Sequence, residues 1–332
     1  MKAAVLHQPG NAENILLEER PIPDPTEEQV LVRVRAFGLN RSELMTRKGL
    51  SPDIEFPRVL GIECVGEVVD DPSGEYTHGQ SIMALMGGMG RDFDGSYAEY
   101  TVLPKRILHP FRSNLPWEIL GAIPEMYQTV YGSLHLALNI QRGETLLIRG
   151  GTSSVGMLAT QVARCFDLTV IATTRSEAKR KRLLQNGASH ALIDDGSLSD
   201  QVSAIVPAGV DKVLDLVGAP TLKDSLACVK PSATTSGAAT SGGVVCMTGM
   251  LSESWAVPNF APMEFIPATV RLTVYDSGQI SSPTHVFQEF INEVEAGRIR
   301  LPIGSIFRLD EIVAAHRTME SNKANGKIVV VL

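Results

Sequence analysis

Residues 144–156, ETLLIRGGTSSVG, have the types and spacing of a phosphate cradle. A short apolar run, Leu146-Leu147-Ile148, ends in a turn of Gly, Thr and Ser, and a helical pattern starts at Val155-Gly156-Met157. Strand, tight turn and helix opening form the geometry that binds a dinucleotide pyrophosphate. First-turn N–H groups lack intrahelical acceptors, and the helix dipole favours negative charge beside them. The backbone N–H groups of Ser153, Ser154, Val155 and Gly156 are expected to face the phosphates. Gly151 is expected to allow the sharp turn, with Thr152 in the same binding set, and Gly156 to let helix and strand approach closely. Counted from Gly151, the spacing G-x-G-x-x-G has Ser153 at its middle glycine, so the literal fingerprint is absent.

The next strand says which dinucleotide. A site for NAD normally ends this strand with Asp or Glu, which holds the ribose hydroxyls. Here LTVIATT (168–174) ends Thr173-Thr174-Arg175-Ser176, Lys179 lies one helical turn on, and the nearest acid, Glu177, is already inside the helix. Two cations with hydroxyls between them suit a 2′-phosphate, Arg through its fork and Lys as a point charge. Thr174, Arg175 and Lys179 are therefore assigned to NADPH. The alternative is a solvated charged face, which is the reading for the neighbours Arg180, Lys181 and Arg182.

The elements that must position these groups change character along the chain. Its 332 residues suggest about two domains, and 44% apolar with 20% charged residues is an ordinary globular composition. The net charge of −7 argues against nucleic acid or an anionic membrane as main partner. No charged-then-apolar leader opens the chain and no apolar run approaches bilayer length, so the expected compartment is the cytoplasm. Cys64, Cys165, Cys228 and Cys246 are far apart in apolar stretches and read as reduced core residues.

Residues 1–124 read as short strands and Gly/Pro turns, a small β-rich domain. Residues 31–38 alternate as a half-buried strand, and the two glycines in 59–69 suggest a bend or a close backbone approach. From about residue 125, strands alternate with helices: strands near 145–148, 168–174, 190–194, 210–218, 243–250 and 271–278, with helices between. That rhythm means βαβ units and a parallel sheet. PSATTSGAATSGG (231–243) reads as an exposed flexible loop. Amphipathic helices follow at 285–297 and 309–322. The last strand, KIVVVL (327–332), needs a sheet to join, and the N-terminal domain is the expected host. The division is 1–124 with 277–332, and 125–276.

Several stretches together resemble the zinc-independent quinone oxidoreductases (zeta-crystallin-like) of the medium-chain dehydrogenase/reductase superfamily. They are GLNRSELMTRKG (38–49), VLGIECVGEVV, DGSYAEY (94–100), AIPEMYQTVYGSL (122–134), GTSSVG, DLVG and the terminal GKIVVVL, in the family's order and covering nearly the whole chain. The resemblance implies an α/β protein: a GroES-like β-rich catalytic domain, a Rossmann doubly wound parallel sheet that binds NADPH, a cleft between them, and a homodimer. Zinc-dependent relatives need a Cys in the stretch matching LNRSEL and a His before the Glu of GIE. Here the first has no cysteine and Ile62 holds the second position, so no metal is expected.

Hydride transfer without a metal needs hydrogen bonds to the developing oxyanion. Asn40 matches the family's active-site Asn, the alternative being a turn Asn that caps the local backbone. Tyr127 is a candidate phenolic proton donor, or a packed core Tyr. Thr129 matches a family Thr that contacts the nicotinamide, or is simple helix packing. Gly249, Met250 and Leu251 follow the fifth Rossmann strand, where backbone lines the nicotinamide pocket. Lys327 is a candidate cofactor contact, or part of a turn. Glu63 is expected in a structural ion pair. Met86 and Met89 suit an adaptable apolar wall, or core filling. Some relatives place a Tyr at the end of the third Rossmann strand; this chain has Asp194, which must point away from a 2′-phosphate.

The function these residues imply is metal-free, NADPH-dependent transfer of hydride to quinones. The alternatives are reduction of activated C=C bonds in enones, enals or enoyl thioesters, and, from another class, a non-catalytic NADPH-binding protein.

Overall fold

The computed structural model describes residues 1–232, 234–235, 238–239 and 241–332, the two short inner stretches by backbone alone. Within the run 231–243, read as a flexible loop, residues 233, 236, 237 and 240 lie outside the described residues, and the described stretches Thr234–Thr235 and Ala238–Ala239 pair antiparallel. Two compact units are present, Met1–Gln128 with Ser281–Leu332, and Thr129–Ile280.

The second unit is built on a six-stranded sheet. Thr145–Arg149, Thr169–Thr174, His190–Ile193, Lys212–Asp215, Val244–Met247 and Arg271–Val274 lie in the spatial order third, second, first, fourth, fifth, sixth. Every pairing is parallel. This is the doubly wound Rossmann order, which reverses between the first and fourth strands. The central strands are apolar in their middles, with polar residues only at the ends, because helices cover both faces of such a sheet. Leu146, Leu147 and Ile148 are fully buried, and Leu147 joins Ile171, Val213, Val245 and Leu226 in one core. The helix Glu177–Gln185 shows the opposite case: it buries only Leu183, as its charged sequence requires.

In the first unit, seven strands form one sheet. Its order is Ile303–Arg308, Lys327–Val331, Gln29–Gly38, Glu63–Asp70, Ser81–Leu85 and Leu108–Pro110, with Tyr100–Pro104 also on Gln29–Gly38. The C-terminal strand pairs antiparallel with Gln29–Gly38, Val330 opposite Phe37. Gln29–Gly38 is more buried than its alternation implies, since Val30, Leu31, Val32, Val34, Ala36 and Phe37 are all inside. It lies inside the sheet, paired with three other strands, and its side chains are buried on both faces. A smaller sheet, Ile15–Glu19, Lys2–Leu6 and Arg58–Val59, shares the same core.

Both glycines of 59–69 have the structural reasons their position suggested. Gly61 adopts φ +104°, a left-handed conformation, and a Cβ on Gly66 would lie 2.2 Å from the carbonyl oxygen of Arg33 on the neighbouring strand. The helix Arg41–Arg47 was not anticipated. Its signal was present: Asn40 and Glu43 stand in the spacing of a capping box. Gly66→Ala is expected to destabilise the protein by about 1–3 kcal/mol, because backbone on a central strand must move. Chemical denaturation followed by a probe in this unit checks it; an unchanged midpoint would show that the sheet gives way freely.

Candidate functional site

The phosphate turn of the second unit forms at the C-terminal end of the first Rossmann strand, on the helix Ser154–Cys165. Its details correct the sequence expectation in two ways. The left-handed residue is Gly150, at φ +84°, not Gly151; a Cβ on Gly151 would press on Ala172 and on the carbonyl of Thr173. And two of the four expected amides are used inside the protein. Ser153 N–H donates to the Gly150 carbonyl at 3.1 Å, and Gly156 N–H donates to Ser153 Oγ at 3.0 Å. Ser153 is thus the N-cap, which explains why Ser can replace glycine here. The N–H groups of Ser154 and Val155 have no acceptor among the described residues, and these two remain to meet an anion. Gly156 does provide close approach, since a Cβ would lie 2.6 Å from the Gly150 carbonyl oxygen. Thr152 is half-buried in the same turn.

At the end of the second strand Thr174 is buried, and its Oγ1 accepts the Ser176 N–H at 3.2 Å. Arg175 is exposed and Lys179 half-exposed, and neither side chain has an ionic or hydrogen-bond partner among the described residues. Arg180, four residues on from Ser176, differs. It donates to the Ala191 carbonyl at 3.0 Å and pairs with Glu177. Asp194 points inward: both its oxygens receive Arg149, at 2.8 Å each, and Arg149 is fully buried. Beyond the fifth strand, the N–H groups of Gly249 and Leu251 donate to the carbonyls of Asp215 and Leu216, so they are used within the sheet; Met250 is half-buried. Cofactor-binding residues here would be Ser154, Val155, Arg175 and Lys179, whose donors suit a phosphate-bearing nucleotide.

The first unit holds a second constellation. Glu63 Oε1 receives Lys327 Nζ at 2.6 Å and Asn40 Nδ2 at 2.8 Å, and Glu63 Oε2 receives the Glu125 N–H at 2.7 Å. Lys327 Nζ also donates to Asn40 Oδ1 at 2.5 Å. Glu63 is in the ion pair expected of it, and Lys327, expected at a cofactor, directs its ammonium into that pair. Because Lys can only donate and ionised Glu only accept, the Asn40 amide has one possible orientation. Its second Nδ2 proton has only long contacts, 3.4 Å to the Gly38 carbonyl and 3.5 Å to Glu43. Asn40 is also the N-cap residue of Arg41–Arg47, so the capping alternative and a donor role coexist.

Tyr127 is stacked on Phe290 with centroids 3.7 Å apart and edge-on to Phe287, the packing alternative for this residue. Thr129 opens the second unit, half-buried on the helix Pro124–Tyr131. Met89 is core, whereas Met86 is half-exposed. Among the described residues no group of three or more His, Cys, Asp or Glu is arranged to hold a metal ion. No helix among them is long and apolar enough to cross a membrane.

Comparison with known proteins bears on both constellations. Residues 26–113 match the family model of the alcohol dehydrogenase GroES-like domain, and residues 186–330 that of zinc-binding dehydrogenases. The quinone oxidoreductase of Homo sapiens is 25% identical over 344 residues, covering 100% of this chain and 98% of its own. Over its whole length the chain is similar to quinone oxidoreductases of the medium-chain dehydrogenases/reductases. An acryloyl-coenzyme A reductase of Sulfurisphaera tokodaii is 24% identical over 353 residues, covering 99% of both chains. Among solved structures, an NAD-dependent alcohol dehydrogenase is 25% identical with a TM-score of 0.86, covering 100% of both chains. A mycobacterial structure complexed with NADPH is 23% identical with a TM-score of 0.85, again covering 100% of both, a likeness of fold.

Glu43 is a residue that sequence reasoning missed. It is 1% exposed and accepts the N–H groups of Asn40 at 3.1 Å and Ile62 at 3.2 Å. Burial pushes its carboxyl up to about 8, against the pull of its own backbone N–H, of Lys327 and of the Ile62 N–H, while the charge of Glu63 adds to the rise. A folded-state value above the unfolded one means the native protein holds a proton the unfolded chain releases. Stability from this group is therefore full below the unfolded value and falls as pH rises from about 4.5 to about 8. Glu43→Gln is expected to flatten that fall, at the loss of one of the two acceptor oxygens that meet Asn40 and Ile62. Denaturant titrations at pH 5, 6.5 and 8 read it, roughly spanning the window; identical pH slopes in both proteins would assign the proton elsewhere.

Proposed function

We propose that this protein is an NADPH-dependent, metal-free reductase that delivers hydride to quinones. The observation that carries the proposal is Arg175, an exposed guanidinium without a partner among the described residues, placed with Lys179 beside a turn whose Ser154 and Val155 amides meet no acceptor among them. A 2′-phosphate and a pyrophosphate are the groups that would use both sets of donors. Bound there, the reduced nicotinamide supplies hydride. The chain's own contribution is to orient and to stabilise charge. Asn40, fixed by Glu63 and Lys327, presents an amide proton to an oxygen that gains negative charge as the acceptor is reduced. Water supplies the proton that completes reduction, or Tyr127 does so where its hydroxyl reaches the acceptor. Metal independence is supported by the lack of a Cys in LNRSEL (39–44) and by Ile62 at the position where zinc-dependent relatives carry His.

The quinone assignment draws on the human relative's name. A second reading, reduction of an activated C=C bond, is favoured by the acryloyl-coenzyme A reductase; the same Asn40 proton would then stabilise an enolate. A homodimer, proposed from the family resemblance, would pair through Arg271–Val274, the sixth strand at one end of its sheet, where Val274 is 61% exposed. The proposed compartment is the cytoplasm.

Anaerobic oxidation of NADPH, with chelator present, against naphthoquinones, enones and enals tests the chemistry. Rapid oxidation by quinones supports the proposal, turnover of enones alone moves the function to C=C reduction, and binding without turnover of either overturns catalysis. Arg175→Ala is expected to raise the dissociation constant for NADPH by roughly tenfold, as loss of a charge-assisted contact implies, and to leave that for NADH almost unchanged. Equal weakening of both would remove the cofactor assignment.

A further inference from the structure

An acid stands beside the proposed 2′-phosphate site, yet its charge has been turned away. Asp194 ends the third Rossmann strand, next to the second: its N–H donates to the Thr174 carbonyl at 2.9 Å, and Ile193 is in register with Thr174. Arg175 follows Thr174 directly, so the Asp194 backbone borders the proposed phosphate cations. A free carboxylate at this strand end would repel a 2′-phosphate and favour the uncharged ribose of NADH.

Arg149, the last residue of the first strand, prevents this. Its Nε and Nη2 bind the two Asp194 oxygens at 2.8 Å each, a fork-to-fork pair that holds the carboxylate inward. The remaining nitrogen, Nη1, binds Asp224 Oδ2 at 2.8 Å, Ser225 Oγ at 3.2 Å and the Thr221 carbonyl at 3.0 Å. One cation thus meets two carboxylates, but Asp224 has other support, from the N–H groups of Leu198 at 2.9 Å and Ser199 at 3.3 Å. The third acid, Asp215, is satisfied by neutral donors: Val217 N–H at 2.8 Å, Gly218 N–H at 2.9 Å, Thr221 Oγ1 at 3.0 Å and Ser225 Oγ at 2.6 Å. Asp194 also accepts the Gly196 N–H on Oδ1 at 3.1 Å, and Arg149 is the cation that pairs with both its oxygens.

We propose that Arg149 is a positioning residue for dinucleotide choice: by sequestering Asp194 it keeps the end of the third strand from repelling a 2′-phosphate, and so preserves selectivity for NADPH over NADH. The inference rests on the NADPH assignment above and extends it to a residue that touches no cofactor. It explains how an acid is tolerated at this strand end.

The experiment is equilibrium binding of NADPH and NADH, by calorimetry or nucleotide fluorescence, to the full-length protein and to Arg149→Gln, Asp194→Asn and the double variant. Arg149→Gln is expected to weaken NADPH by about tenfold, the scale of one unit charge several ångströms away near a protein surface, with little change for NADH. Adding Asp194→Asn is expected to restore NADPH affinity to within about threefold of the parent, since the released charge is then gone. Equal weakening of both nucleotides by Arg149→Gln, without rescue, would overturn the inference and leave a structural role alone. If Arg149→Gln does not fold, Asp194→Asn alone decides. A neutralised acid predicts almost unchanged NADPH affinity, whereas tightening of about tenfold shows that Asp194 was repelling the nucleotide already. A parent protein without preference for NADPH overturns the cofactor assignment itself, an outcome distinct from either variant result.

Discussion

The first unit depends on a buried ion pair between residues far apart in sequence. Glu63 and Lys327 have side chains 0% and 2% exposed. Removing two charges from water costs several kcal/mol per ion, so the pair persists only where further hydrogen bonds complete it. They are present: Asn40 bridges both partners, and the Glu125 N–H closes the second carboxylate oxygen. Through these contacts one carboxylate fixes the C-terminal strand, the start of the helix Arg41–Arg47 and the start of the helix Pro124–Tyr131. The geometry of Asn40 is a consequence of charge pairing, not of the local turn alone. A side-chain amide held at both ends loses little freedom when it meets an oxyanion, and that preorganisation is what a donor needs.

The second unit repeats the logic at the ends of its strands. Arg149 is fully buried and answers Asp194 and Asp224, while Asp215 is held by hydroxyls and amides. Such a network fixes the C-terminal edge of the sheet, where Rossmann ligands bind. An unpaired charge left in this environment would be far more costly than one at the surface, so the strand ends have little latitude to move independently.

Much of the fold was legible because local periodicity writes it directly. The β-branched run 168–174 and the charged helix after it could be little else, and alternating strands and helices dictated a parallel sheet. What periodicity cannot express is pairing at a distance. Lys327 and Glu63 are 264 residues apart and Arg149 and Asp194 are 45 apart, so nothing in either neighbourhood announces the partner. Arg149 lies just past the apolar run 146–148 and carries no local sign of its partners. Glu43 was concealed by its own motif: the Asn40–Glu43 spacing signals a helix start, but not that the acid would be fully buried. The turn shows a subtler limit. GGTSS allows the left-handed residue at either glycine, and only the packing of Gly151 against the second strand selects Gly150.

Hydrogen-bond accounting then separates residues that sequence must treat alike. Within 175–182 there are five cations, and composition gives no reason to prefer one. Arg180 meets Glu177 and the Ala191 carbonyl, which is how a cation is held on a helix surface. Arg175 has no such partner, although a neighbouring acid, Asp194, lies on the adjacent strand and is taken instead by Arg149. At the turn the same distinction divides the amides: Ser153 and Gly156 are satisfied inside, Ser154 and Val155 are not. Folding alone would favour pairing Arg175 with Asp194, since both are near and opposite in charge. The structure forgoes that pairing, and a cation kept uncommitted beside two open amides is what recognition of a phosphate requires of a protein before the phosphate arrives.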